Sequence, residues 1–309
     1  MTTGTAPPLA IVLASYKRPD RLLAVLGEVA RLRRPPAFEV VAVLQAYDRP
    51  MAADVAAALG DVPATTLEYP QPLGLIAARN VGVAHARGEI VAFIDDDVEL
   101  PPDWARALLE PYADPRVGGV AGFVQHGPGF STFGPAVLRL LGANPSVYHI
   151  DRFGYAFHPL TRFPGATVEA MWLPGGASSY RRRLFDELGP LEEAFRYGFE
   201  DVEFGARARR AGWSLRVVPA ATVIHHPSAA NRMSRREAVY HMERVRVLAV
   251  RKVLAERAGW RRAHWFGFAR VLLVHALSAL AHRDWRLPLV ALQGARAGRR
   301  EFGHAPGAP

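Results

Sequence analysis

Apolar runs alternate with helical periods along the first part of the chain. Leu9 to Ala14 is a short apolar strand, SYKRPD is a turn, and Arg21 to Leu32 has helical spacing through Leu22, Leu23, Val25, Leu26 and Val29. A second buried strand runs from Glu39 to Leu44, a helix from Met51 to Leu59, and a short strand from Ala64 to Glu68. Leu73 to Arg87 reads as a helix ended by Gly88, and the apolar strand Ile90 to Ile94 follows. Strands apolar on both faces, separated by helices, imply an α/β fold in which a mainly parallel sheet is covered by helices.

Trp104 to Tyr112 reads as another helix and Val117 to Val124 as one strand. Gly127 to Thr167 is rich in Gly, Pro and aromatic residues with little period, as in a long functional loop or a partly helical insert. Ala177 to Arg182 has the look of a strand, Arg183 to Leu188 of a short helix, Val202 to Ala211 of a helix stopped by Gly212, and Ser214 to Val218 of a strand. After Pro227 the pattern is wholly helical: Arg235 to Ala258, Ala263 to His282, and a last stretch from Pro288. The change divides the chain into an α/β part, residues 1–230, and a helical extension, residues 231–309.

Charge sharpens that division. The formal net charge is +9, yet from Asn231 to Glu301 sixteen Arg or Lys stand against five Asp or Glu, a balance of +11, which leaves −2 for the rest. Such a tail suits an anionic membrane surface, an acidic acceptor, or simply an arginine-rich solvent face. No recognised nucleic-acid motif accompanies the charge, so nucleic acid is not an expected partner. Trp260, Trp265, Phe266, Phe268 and Trp285 beside Arg261, Arg262, Arg283 and Arg286 resemble an interfacial anchor, and equally suit an appendage packed on the core. The uninterrupted apolar runs of Ala263 to His282 are short for a bilayer span, so spanning is not expected.

The chain has 309 residues, half of them apolar, enough for a large core. It has no cysteine, which removes disulfides, thiolate metal sites and cysteine nucleophiles and fits a reducing cytosol. MTTGTAPP lacks the charged-then-apolar pattern of a secretory signal, so the expected location is cytoplasmic, peripheral on the inner face of the membrane if the tail binds lipid.

The chemistry concentrates at FIDDD, where the strand Ile90 to Ile94 ends on Asp95, Asp96 and Asp97. Three adjacent carboxylates repel one another, and at the carboxyl end of a strand in an open α/β sheet they suit a divalent metal holding a phosphate. A solvated turn that caps the next helix is the plainer reading. From an extended strand end, Asp95 and Asp97 point the same way and Asp96 the other. Arg79 stands where it reaches a diphosphate or orients these carboxylates.

A second acidic cluster, Glu200, Asp201 and Glu203, opens the helix near Val202. First-turn acids are ordinary dipole partners, but the preceding Phe195, Tyr197, Gly198 and Phe199 offer shelter in which a carboxylate pKa rises enough for proton abstraction. Gly175 and Gly176 permit close backbone approach and, with Glu200, are assigned to the acceptor side. His225 and His226 follow a strand, and alternation lets only one of them face a site.

Taken in order, IVLASYKRPDRL, GLIAARNVGVAHARGEIVAFIDDD, PPDW, GGASSYRRRLF, GFEDVEFGARARRAGW and VPAATVIH resemble the GT-A glycosyltransferases of family 2, over about residues 9 to 227. The resemblance implies a GT-A fold and inverting transfer from a nucleoside-diphosphate sugar to the hydroxyl of a glycan, a lipid-linked glycan or a small molecule. It assigns ribose and metal-diphosphate contacts to Asp95 and Asp97, with Asp96 and Arg79 in the donor set, and acceptor deprotonation to Asp201. His225 matches a histidine that completes the Mn2+ or Mg2+ site with Asp97, a spacing that His226 fits less well. Ser15 and Tyr16 fall where the first strand meets the nucleobase. Where many members read VVDDGSTD, this chain reads VAVLQAYD, which puts Leu44 or Gln45 in place of a base-contacting acid. A glutamine carbonyl accepts from a pyrimidine N3–H and its amide donates to a carbonyl, which favours UDP or dTDP. Two alternatives stay open: sugar-phosphate nucleotidyl transfer on a related fold, and a non-catalytic sugar- or membrane-binding relative.

Overall fold

The structure is a computed structural model, and it describes residues 8–33, 37–126, 148–157, 165–196, 198–226, 233–255 and 258–303. In chain order its strands are β1 (Leu9–Tyr16), β2 (Phe38–Gln45), β3 (Ala64–Tyr69), β4 (Ile90–Ile94), β5 (Val98–Glu99), β6 (Val117–Ala121) and β7 (Val124–His126). They continue with β8 (His149–Ile150), β9 (Ala156–Phe157), β10 (Val168–Glu169), β11 (Ala177–Arg181), β12 (Ser214–Val217) and β13 (Val223–His225). The helices are α1 (Pro19–Ala30), α2 (Ala52–Leu59), α3 (Leu75–His85), α4 (Trp104–Leu109), α5 (Arg183–Leu188) and α6 (Glu200–Arg210), then α7 (Arg235–Val253), α8 (Trp260–His282) and α9 (Leu287–Phe302).

Period-2 alternation along β1 decides which helices cover which face of the sheet. Ala10, Val12 and Ala14 join a core with α3, α5 and α6, through Ile76, Phe185 and Phe204. Leu9, Ile11 and Leu13 join the opposite core with α1, α2 and α4, through Leu26, Val55 and Trp104. Between these layers the eight-stranded sheet has the order β10-β12-β6-β11-β4-β1-β2-β3. The pairs β1–β2, β1–β4, β2–β3 and β6–β12 are parallel. Strand β11 runs antiparallel to both β4 and β6, and β10 antiparallel to β12. The expected mainly parallel α/β sheet is thus present, with β10 and β11 reversed.

One expected strand is two. Val117 to Val124 breaks after Ala121, because at Gly122 the backbone runs against the Ala221 carbonyl, where a Cβ would collide. The chain leaves the large sheet there and enters a small one of order β5-β13-β7. This second sheet builds the site: β13 pairs antiparallel with β5, in the register His225 to Val98, and so delivers His225 beside the acidic triplet. Two helices also start differently from their expected positions. Helix α3 begins at Leu75 instead of Leu73, and α6 begins at Glu200, which places all three acids in its first turn.

Most of Gly127 to Thr167 lies outside the described residues, as do Tyr197 and residues 1–7. Of that loop, β8 and β9 form an antiparallel pair, and Tyr148 packs edge-on against Trp172 with centroids 4.8 Å apart. The C-terminal helices begin with a capping box: the Glu237 N–H donates to the Ser234 hydroxyl and the Ser234 N–H to the Glu237 carboxylate. Val245, Leu248 and Ala249 of α7 lie in the same core as α3 and α6. Helix α9 comes against the α7 backbone at Gly294 and Gly298. Burial alone would raise the Glu243 carboxyl, but Arg246 and His275 hold it at about 2.

Candidate active site

The carboxyl ends of β1, β2 and β4 open onto a cleft of about 490 Å3, where ligands bind in open α/β sheets. Tyr16, Gln45, Asp95, Asp96, Asp97 and His225 line it, together with Arg18 and Arg196. All three aspartates face this cleft, which corrects the expectation that Asp96 turns away. Strand β4 ends at Ile94 and the chain enters a turn, so strict alternation no longer applies.

Each aspartate has its own partner. Asp95 is the most open, at 31% side-chain exposure, and accepts from Arg79 Nη2 at 2.8 Å. Asp96 is the most buried. The Ser15 hydroxyl donates to it at 2.5 Å and Arg18 Nη1 at 3.0 Å, and its carboxyl is pushed up by burial against the pull of both. Asp97 lies 3.2 Å from His225 Nε2 and 3.5 Å from Arg18. Burial alone would raise Asp97, but His225 and Arg18 hold it below the ordinary range. His226 sits apart, against Glu99 at 2.9 Å.

Gln45 requires a second correction. Its Oε1 accepts from the N–H groups of Leu73 at 2.8 Å and Gly74 at 3.0 Å, so the carbonyl expected to read a pyrimidine already serves the entry to α3. Gly74 takes φ +91° there, a left-handed value open to glycine. Only the donor end of the Gln45 amide is left for a nucleobase.

Behind Asp95 lies a second cleft of about 360 Å3, lined by Arg79, Trp172, Gly175, Glu200 and Asp201, with Met242 and Arg246 contributed by α7. Asp95 borders both clefts. Arg79 is buried and forks between Asp95 and Glu200, with Nη1 at 2.9 Å from Glu200 Oε1. Both of its outer nitrogens hold carboxylates. Glu200 stands in the cleft wall as the counter-ion of Arg79.

The paired glycines make room for this network. A Cβ at Gly175 would come 2.8 Å from Arg79 Nη1, and one at Gly176 would collide with the Asp95 carboxylate. The Gly175 N–H also donates to Asp201 Oδ2 at 3.1 Å, while the Val202 N–H donates to Oδ1 at 2.8 Å. Asp201 is partly open to the cleft, yet the protein around it displaces most of its water. Burial first, and the neighbouring Glu200 charge second, push its carboxyl up to about 7, against the pull of those two N–H groups and Arg79. Phe199 carries the chain into this corner at φ +76°, an uncommon conformation for a bulky residue and a local strain beside the carboxylates.

Among the described residues no group of three or more His, Asp or Glu gathers as a metal site. Asp97 and His225 do converge on the cleft, and Mg2+ or Mn2+ commonly takes one or two protein ligands with phosphate oxygens and water completing the shell. The donor set fits such an ion. Sequence reasoning missed Arg18, Arg196, Met242 and Arg246 in the cleft walls. Only Arg18 carried a local signal, just past the end of β1.

The chain matches the model of Glycosyl transferase family 2 over residues 10–189. It is 28% identical over 244 residues to the O-antigen biosynthesis protein RfbC of Myxococcus xanthus, covering 73% of this chain and 18% of that protein. With the pre-mycofactocin glycosyltransferase of Mycobacterium tuberculosis it shares 31% over 165 residues, 52% of this chain and 31% of that one. The chain therefore spans less than a third of the length of these two relatives. Among solved structures it resembles the mannosyltransferase PcManGT from Pyrobaculum calidifontis in complex with GDP-Man and Mn2+, with TM-score 0.61 and 14% identity over 97% of this chain and 88% of that one. It also resembles GalNAc-T7 with UDP, GalNAc and Mn2+, with TM-score 0.59 and 17% identity over 78% of this chain and 48% of that one. At these identities the likeness shows the fold, the GT-A architecture. The family match runs from β1 past α5, taking in the acidic triplet and the paired glycines, and the chain belongs to glycosyl transferase family 2.

Proposed function

We propose that this protein transfers a sugar from a nucleoside-diphosphate sugar to an acceptor hydroxyl, with Asp201 as general base and inversion at the anomeric carbon. The observation that carries this reading is the meeting of two clefts at Asp95, one holding Asp97 with His225 and the other a carboxyl pushed up to about 7. A base with that pKa is about half ionised near neutral pH and takes a proton readily. The nucleoside lies along Tyr16 and the Gln45 amide, its ribose at Asp95 and Asp96. Asp97 and His225 would hold Mn2+ or Mg2+, which when bound neutralises charge on the diphosphate. Arg18 and Arg196 add fixed positive charge to the same cleft. From the second cleft, the acceptor hydroxyl gives its proton to Asp201 Oδ while its oxygen attacks the anomeric carbon on the face opposite the diphosphate; the bond from that carbon to the diphosphate oxygen breaks, and the nucleoside diphosphate leaves with the electron pair. The acceptor is a glycan, a lipid-linked glycan or a small molecule. With the Gln45 carbonyl engaged, the preference for UDP or dTDP loses part of its support.

A thermal-shift panel of UDP-, dTDP- and GDP-sugars with and without Mn2+ tests the reading. One donor class should raise Tm by about 5 °C near 100 times its Kd, only with metal, and Asp97→Ala should abolish the shift. Shifts that ignore both metal and Asp97 would count against it. Gly176→Ala, which drives a methyl into the Asp95 carboxylate, should lower kcat/KM about 10- to 100-fold while Tm stays within a few degrees. Wild-type kcat/KM in this variant would remove Asp95 from the donor site.

A further inference from the structure

Helix α8 is tied down along one side and bare along the other. On the tied side His264, Gly267, Phe268 and Ala279 are buried, and the Tyr155 hydroxyl donates to the His264 carbonyl at 3.0 Å. Arg270 pairs with Asp151 at 2.7 Å, and His275 Nε2 lies 3.1 Å from the buried Glu243. On the bare side Arg262, Phe266, Leu273 and Leu280 recur at intervals of four and seven, a stripe within about 40° of arc at 100° per residue. Phe266 is 66% exposed, Leu273 50% and Leu280 57%. Trp285 at 68% lies in the turn that follows, and Leu289 at 54% begins the exposed side of α9. An array of large exposed apolar side chains marks an interaction site.

The charges around the stripe say what it meets. Helix α8 contains no Asp or Glu. Arg262 stands at one end of the stripe and Arg283 and Arg286 beyond the other, Arg296 and Arg300 are exposed on α9, and of these five Arg286 lies in the field of a carboxylate, that of Asp284. A second copy docking symmetrically would bring the same patch against itself, arginine facing arginine. An anionic lipid surface instead takes the apolar side chains at its acyl boundary and the guanidinium groups at its phosphates. We propose that this face of α8, with the turn at Trp285 and the start of α9, docks the protein on an anionic lipid surface and lies in the interface. By its 23-residue length and one 18-residue window of mean hydropathy 1.3 the helix meets the composition needed to cross a bilayer, contrary to the expectation from its short apolar runs. Crossing, however, would tear Arg270 from Asp151 and His275 from Glu243, and one polar-tied side is what an interfacial helix keeps. The docking is independent of the transfer chemistry.

Flotation of the full-length protein with phosphatidylcholine vesicles, with and without about one-third phosphatidylglycerol, tests this. At least about tenfold more protein should float with the anionic vesicles, and about 0.5 M salt should remove most of that preference. Two triple variants, Phe266→Ser/Leu273→Ser/Leu280→Ser and Arg262→Glu/Arg283→Glu/Arg286→Glu, should each lose about tenfold in binding while keeping the wild-type circular dichroism and Tm. Absence of wild-type flotation, or flotation that both variants retain, overturns the proposal. So does resistance to alkaline carbonate extraction, which would mean spanning, or a concentration-dependent dimer lost in the serine variant. Loss of docking leaves the donor thermal shift untouched, so failure here and failure of the transfer reading are told apart.

Discussion

Asp201→Asn should lower kcat about 10²- to 10⁴-fold while donor affinity stays within about twofold, the span that general-base catalysis contributes. The amide is nearly isosteric but cannot take the acceptor proton. Its oxygen accepts only one of the two N–H groups, from Gly175 and Val202, that now bond the carboxylate, at a cost of about 1 kcal/mol. Losing a poorly hydrated charge offsets this, so Tm moves little. Steady-state kinetics beside calorimetric donor titration would separate the two effects, and parallel losses of kcat and donor affinity would remove Asp201 from the base role. In the wild type, kcat/KM should rise with pH and level off above about 7, because the proposed base acts in its ionised form. Stability moves the opposite way. The folded-state pKa lies above the ordinary aspartate value of 3.8, so the folded protein binds more protons between 3.8 and about 7. The stabilisation is complete below that window and is lost as pH rises through 7, and Asp201→Asn should flatten this slope.

Arg79→Ala should destabilise the protein by about 3–5 kcal/mol, the usual consequence of stranding one member of a buried ion pair. Glu200 would be left inside the protein without its counter-ion, and Asp95 would lose the fork that fixes its direction. Arg79→Lys should recover little, since an ammonium cannot hold two carboxylates in one plane. Adding Glu200→Gln to Arg79→Ala should restore part of the loss, because the stranded charge is then gone. Denaturant melts of the three variants measure this, and a loss below about 1 kcal/mol for Arg79→Ala would show that the cleft rehydrates freely.

The sheet was legible because β1, β2 and β4 are apolar on both faces and only a covered parallel sheet accommodates such runs. The start of α7 was written locally as well, in Ser234 and Glu237. Misreadings arose where a distant backbone decided the outcome. Nothing near Gly122 announces that Ala221 presses against it, and nothing near Gln45 announces that the N–H groups of Leu73 and Gly74 will take its carbonyl. Asp96 was misplaced by carrying strand alternation two residues beyond Ile94. Met242 and Arg246 reach the second cleft only through the packing of α7 on α6, a contact without a sequence period.

The chain of contacts from Asp95 through Arg79 to Glu200, beside Asp201, means that the two clefts do not vary independently. A change in charge at the end of β4 that alters what the proposed donor cleft holds also alters the field around the acid in the other cleft. Mutations on the two sides should therefore be epistatic. Anyone re-engineering the donor preference of this protein would have to reselect residues around Asp201 at the same time, because a library confined to one cleft samples mostly mismatched pairs.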